Sequence, residues 1–169
     1  MKEIFTRRSV REYDLSKKLS YDELLDIVKA GMAGPTARNQ QSWTFMIIDD
    51  EAIIKELAVA VGKSTMNLLN ANTYIAILGH TEGNVLSFGM QPSDLGAAQM
   101  NMMIYARSKN LGTCWIGSYG NKDREINFKR VLNVPDEYFV YSLMAIGYPK
   151  DLSCFKEIDR FDINKVFHN

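Results

Sequence analysis

Apolar positions recur at helical spacing after Ser20, where Leu24, Leu25, Ile27, Val28 and Met32 follow a Ser20…Glu23 pair spaced as in a capping box. The pattern predicts a helix from about Ser20 to Met32. The segment GPTARNQQ clusters Gly, Pro and polar residues and reads as a loop, after which WTFMIID alternates as a strand should. Asp50 is placed to cap EAIIKELAVAV as a second helix. TYIAILGH is almost continuously apolar, as in a strand buried on both faces at the centre of a sheet. From Ser93, SDLGAAQMNMMIYARSKNLG predicts a helix capped by Ser93 and stopped by Gly112 at C′. Its apolar residues cover most of the circumference, which places it in a core or a subunit interface. TCWIGSY reads as a third strand, NKDREINFKRVL as a surface helix capped by Asn121, and EYFVYSLMAIGYP as a long fourth strand. The sum is an α+β fold with a central mixed sheet, ending in a polar tail with few packing signals.

Composition narrows the class. At 169 residues and 46% hydrophobic content, residues 1–169 fit one domain, with 150–169 as a C-terminal extension. Lysine plus arginine (20) equals aspartate plus glutamate (20), so no global field favours a nucleic acid or an anionic membrane. Cys114 and Cys154 are far apart, as expected in a reducing cytoplasm, and neither they nor His80 and His168 have metal-ligand spacing. No apolar signal core or membrane-length run is present, so the expectation is a cytoplasmic protein. G-x-S-x-G, Walker and G-x-G-x-x-G patterns are also missing, which removes the usual support for a hydrolase or a Rossmann dehydrogenase.

Three stretches carry candidate chemistry. TRRSVREY packs Arg7, Arg8, Ser9 and Arg11 together, which suits either a solvated helix end or a phosphate cradle of guanidinium forks, hydroxyl and backbone N–H groups. In the loop, Asn39, Gln40 and Gln41 are turn residues or planar amides for the edge of a heterocycle. In GTCWIGSYG, Gly117 marks a bulge or a place where a flat ring approaches the backbone.

Taken in order, these segments resemble the FMN-dependent nitroreductase family. RRSVREY is similar to its R-R-S-x-R-x-[FY] motif, PTARNQQSWTFMII to its P-S-x-x-N-x-Q-P-W-x-F-x-[IV] loop and strand, and DLGAAQMNMMIYARSKNLGTCWIGSY to its D-x-G-A-A…G-L-G-x-C-W-I-G block. VPDEYFVYSLMAIGYP resembles the strand that follows, so the likeness runs from about Phe5 to Pro149.

The resemblance implies a nitroreductase-like fold, with a mostly antiparallel mixed sheet flanked by helices, in an intertwined homodimer with FMN at the interface. It implies that Arg7, Arg8 and Ser9 hold the FMN phosphate and ribityl chain. Arg11 would reach the N1 and C2-carbonyl edge, where a fixed positive charge stabilises the reduced ring without any general base. Pro35, Thr36, Ala37, Asn39 and Gln41 would line the cofactor, with the loop coming from the other subunit. Ile116 and Gly117 would lie near N5, and Arg160 would return to the phosphate. The implied activity is ping-pong hydride transfer from NADH or NADPH to a nitroaromatic, a quinone or a similar small acceptor. The alternatives are a reductive dehalogenase or flavin-cleaving enzyme of the same fold, or a flavin-binding dimer without turnover. Two positions depart from the pattern, Ser42 for its proline and Ala37 for a loop serine, and the 81–94 segment is short where larger members insert covering helices.

Overall fold

The structure, a computed structural model, describes residues 2–61 and 67–168. Ser20 sits in extended backbone and its hydroxyl accepts from the Glu23 N–H, while the Glu23 carboxylate accepts from the Ser20 N–H at 2.7 Å. Both halves of the expected capping box therefore form, and the chain leaves the box directly into helix over Tyr21–Met32. A cap of this kind stabilises a helix by about 1 kcal/mol. Asp50 does the same for Glu51–Val61, accepting from the N–H groups of Ala52 and Ile53. Asn121 does so for Lys122–Val131, accepting from the Arg124 N–H. With the short N-terminal helix Lys2–Thr6 and the long helix Gln91–Ser108, these are α1 (Lys2–Thr6), α2 (Tyr21–Met32), α3 (Glu51–Val61), α4 (Gln91–Ser108) and α5 (Lys122–Val131).

Four strands, β1 (Trp43–Ile48), β2 (Tyr74–His80), β3 (Gly112–Gly117) and β4 (Tyr138–Gly147), form a sheet in the order β1-β2-β4-β3. All three pairings are antiparallel, and the parallel component of the expected mixed sheet is the single bridge between Ser9 and Thr113. As its apolar run predicts, β2 is an interior strand, buried along all but His80. On one face Ile75, Ile77, Met144 and Ile146 pack with Leu24 and Ile27 of α2 and with Met102 and Met103 of α4. On the other, Ala76, Leu78, Val140 and Leu143 pack with Ile54 and Leu57 of α3 and Phe128 and Val131 of α5. Between Ile77 and Leu78 the β2–β4 register skips Tyr141, whose carbonyl accepts from both Ser118 and Tyr119 N–H groups. This bulge turns the chain sharply after β3.

The ends of α4 differ from expectation. Ser93 is not its cap, because a 3-10 turn at Phe88–Met90 runs straight into the helix and Pro92, with no N–H to satisfy, sits in the first turn. Gly112 is not its stop. Asn110 takes the left-handed conformation (φ 58°), and its N–H and that of Leu111 close on the carbonyls of Arg107 and Ala106. Gly112 instead opens β3, where a Cβ would lie 2.9 Å from that of Val10. Within one chain α4 buries Leu95, Ala98, Met102, Met103 and Ala106, while Met100 stays exposed and Ala97 and Ile104 half-buried on another stripe. No helix among the described residues is long and apolar enough to cross a membrane.

Candidate functional site

The residues after α1 form an arm pinned across one end of the sheet. Val10 N–H donates to Thr113 O at 2.9 Å, Asp14 N–H to Tyr148 O at 2.9 Å, and Lys150 N–H to Glu12 O at 3.1 Å. Val10 and Tyr13 turn inward and are buried, and the Tyr13 hydroxyl donates back to Val10 O at 2.9 Å. The residues between and before them are thereby turned outward: Ser9 and Arg11 are exposed and Arg7 and Arg8 half-buried.

The Arg7 guanidinium lies within the field of both Arg8 and Arg160. Burial, then the charges of Arg8 and Arg160, lower the proton affinity of Arg7. A guanidinium stays charged regardless, so positive charge is concentrated here. No ion pair joins Arg7, Arg8, Arg11 or Arg160 to a carboxylate among the described residues. Arg8 donates to Phe5 O at 2.8 Å and to Arg7 O, folding back on the arm, and its Nε is buried without a partner among the described residues. Arg11 donates to Ser9 O at 3.1 Å. Beneath the arm, burial pushes the Cys114 thiol up in pKa, against the opposing pull of Arg11 and Arg7.

Arg160 reaches this cluster because the tail is tied down. The Arg107 guanidinium lies 4.1 Å from the Phe155 ring centroid, and Arg107 Nε donates to Thr6 Oγ1 at 3.1 Å. Arg107 was not among the candidates from sequence; its one signal there is a basic residue in the last turn of a buried helix.

β3 leads away from the arm. Ile116 is buried in the core, whereas Gly117 is exposed and a Cβ on it would meet nothing within 4 Å. At 3.3 Å per residue, Gly117 lies about 13 Å along the strand from Thr113 and the arm.

The loop before β1 is strained and held. Arg38, Asn39 and Gln41 all have positive φ (55°, 54° and 51°), a conformation that non-glycine residues keep only when surrounding contacts impose it. Thr36 Oγ1 accepts from Gln41 N–H at 3.1 Å, Gln41 Nε2 donates to Asn39 Oδ1 at 3.1 Å, and both oxygens of buried Asp94 accept from Ala37 N–H at 3.1 Å. Gln40 is committed elsewhere, accepting from Ser87 N–H at 3.0 Å. Pro35 precedes this turn at the surface. Asp94 binds the loop at the start of α4 and Arg107 binds the arm at its end, so a rise of 1.5 Å per residue separates the two by about 20 Å. One chain therefore gathers Arg7, Arg8 and Arg160, and holds Pro35, Thr36, Ala37, Asn39 and Gln41 apart from them.

Two cavities of the chain, about 390 Å³ beside Leu15, Ile54 and Leu69 and about 540 Å³ between α2 and β1, contain none of these residues. Charge at the arm and the exposed face of Gly117 mark the site. Among the described residues no group of His, Cys, Asp and Glu could hold a metal ion.

Comparison with known proteins identifies the family. The Nitroreductase family model matches residues 4–76 and 64–148. A relative from Archaeoglobus fulgidus, provisionally named NADH dehydrogenase/NAD(P)H nitroreductase, is 32% identical over 167 residues, covering 98% of this chain and 95% of that protein. The Bacillus subtilis FMN reductase (NADPH) is 26% identical over 181 residues, covering 98% of this chain and 71% of its own. The crystal structure of a provisionally named NADH oxidase from Clostridium acetobutylicum superposes with a TM-score of 0.90 at 30% identity, covering 98% of this chain and 97% of that one. With residues 4–148 matched by the family model and the chain's length almost fully shared with a relative, this protein belongs to the nitroreductase family.

Proposed function

We propose that the protein is an FMN-dependent oxidoreductase that takes electrons from NADH or NADPH and passes them to a small acceptor such as a nitroaromatic or a quinone. The observation that carries this reading is the arginine cluster: Arg7, in the field of Arg8 and Arg160 with no carboxylate paired to it among the described residues, fits a phosphate monoester. Arg8 Nε, buried without a partner, and the open surface over Gly117 fit the same ligand, one end as an orphaned donor and the other as room for a flat ring. FMN supplies two-electron hydride chemistry when bound. The chain's part is then to hold and orient it: Arg7, Arg8, Ser9 and Arg160 at the phosphate end, Arg11 at the ring's N1 and C2-carbonyl edge, and the Ile116 and Gly117 backbone near N5. Pro35, Thr36, Ala37, Asn39 and Gln41 complete the site from a second copy, and two observations support a homodimer. Thr36–Gln41 cannot reach its own arginines across the length of α4. The exposed stripe of Met100 on α4 and the bare tail residues Phe161 (75% exposed) and Phe167 (92%) also need a surface to cover them. Residues 1–169 act as one domain in this arrangement, with 150–169 extending from it.

The test is direct. Purified protein is expected to be yellow, to carry about one FMN per chain, to sediment as a dimer and to bleach anaerobically with NADH or NADPH. Yellow protein that neither donor bleaches would leave a flavin-binding role without turnover. Colourless protein that FMN does not reconstitute would remove the reading altogether.

A further inference from the structure

Beyond the arm and β3, the corner after Gly117 carries a charged group that the cofactor reading does not use. Ser118 and Tyr119 N–H groups both bond Tyr141 O, Asn121 N–H bonds Ser118 O at 2.9 Å, and Gly120 takes the positive φ (83°) that the turn requires. The corner is therefore rigid, and α5 starts from it with Arg124 in its first turn. The Arg124 side chain reaches back to donate from Nη1 to Gly117 O at 2.8 Å. This places a guanidinium at the one residue of β3 that offers an open face. Arg124 is half-buried, and although Asp123 and Glu125 flank it in sequence, neither pairs with it among the described residues. A guanidinium has five N–H donors, and one bond here fixes the group while leaving the others for a ligand. An exposed carbonyl bonded to water would be satisfied without ordering so long a side chain.

We propose that Arg124 is a donor-binding residue that holds a phosphate of the dinucleotide as its nicotinamide stacks at Gly117. This rests on the FMN oxidoreductase reading. A dihydronicotinamide ring carries no group that calls for a guanidinium, but both candidate donors carry a pyrophosphate, which the planar fork matches. The short 81–94 segment, TEGNVLSFGMQPSD, contains no Lys or Arg and so brings no competing cation. An acidic acceptor presents the same anionic chemistry, and the experiment separates the two.

The holoenzymes of wild type, Arg124→Gln and Arg124→Lys are compared in three measurements: calorimetric binding of NADP⁺, anaerobic reduction by NADPH, NADH and the neutral 1-benzyl-1,4-dihydronicotinamide, and turnover with a neutral and a carboxylate-bearing nitroaromatic. The expected result is that Arg124→Gln weakens NADP⁺ binding and raises half-saturation by both dinucleotides about tenfold, as for loss of one charge-assisted hydrogen bond. Arg124→Lys recovers part of the loss, and the neutral donor is unaffected. Equal slowing with the neutral donor would mean that Arg124 only positions Gly117, and unchanged NADP⁺ binding would mean no contact; either overturns the proposal. A loss confined to the carboxylate-bearing acceptor overturns its assignment to the donor. Failure of the underlying reading is visible separately, because wild type would then lack FMN or fail to bleach with any donor, and the proposal falls with it.

Discussion

Arg107 stacks its guanidinium 4.1 Å from the Phe155 ring centroid while bonding Thr6 through Nε, so one side chain at the end of α4 ties the C-terminal tail to the N-terminal arm. Arg107→Gln should therefore act on two distant segments at once. A cation–π contact and a hydrogen bond of this exposure sum to about 1–2 kcal/mol. We expect the urea midpoint to fall with an unchanged m-value and FMN to dissociate faster, because Arg160 is no longer delivered to the cluster. An unchanged release rate in a destabilised variant would show that the tail's anchoring and the phosphate site are independent.

Arg7→Gln should have opposite effects on the empty and loaded protein. In the empty protein it removes the charge pressed by Arg8 and Arg160, so thermal stability is expected to hold or to rise by a few tenths of a kcal/mol, typical of relieved surface repulsion. FMN affinity is expected to fall by at least about tenfold, as one charge-assisted phosphate bond is lost. Lys122→Ala, which alters an exposed helix face, should change neither. Thermal melts with and without FMN read both signs, and a fall in both would mean that Arg7 is structural.

Arg11 is exposed and donates from one Nη to the Ser9 carbonyl, which leaves its other N–H groups to serve a ligand. Arg11→Gln is expected to retain FMN but to lower its two-electron potential by about 30–65 mV. That range corresponds to losing about 1.5–3 kcal/mol of interaction with a charged partner. Dye-coupled spectroscopic titration measures it, and an unshifted potential in a loaded variant would place Arg11 away from the ring's N1 edge.

Asp94→Ala should free the loop without touching the arginines. Both carboxylate oxygens of Asp94 accept from Ala37 N–H, and removing them leaves that donor unpaired at a cost of about 1–3 kcal/mol. Tryptic cleavage after exposed Arg38 is expected to accelerate in Asp94→Ala, while Asp94→Asn, with one acceptor oxygen left, stays close to wild type. Equal cleavage rates in wild type and Asp94→Ala would show that the loop's positive-φ residues are held by other contacts.

Most elements were legible along the chain because their determinants are local. Period and caps identified α2, α3 and α5, an unbroken apolar run made β2 interior, and closely spaced arginines marked the arm. The resemblance in RRSVREY, PTARNQQSW and GTCWIG was equally local, being a matter of residue types at fixed spacing. Long-range contact decided the rest. Gly112 reads as a helix stop in a short window, but its role comes from Val10, which the arm lays against it. Asp94 looks like an ordinary first-turn acid until Ala37 is brought to it, and Arg124 like a surface charge until the bulge at Tyr141 turns Gly117 toward it. That Arg160 presses on Arg7 depends on the path of the whole tail past Arg107. Backbone propensity and capping act within a few residues and can be read in order, whereas charge crowding and close approach depend on which distant segments the packed sheet and α4 bring together.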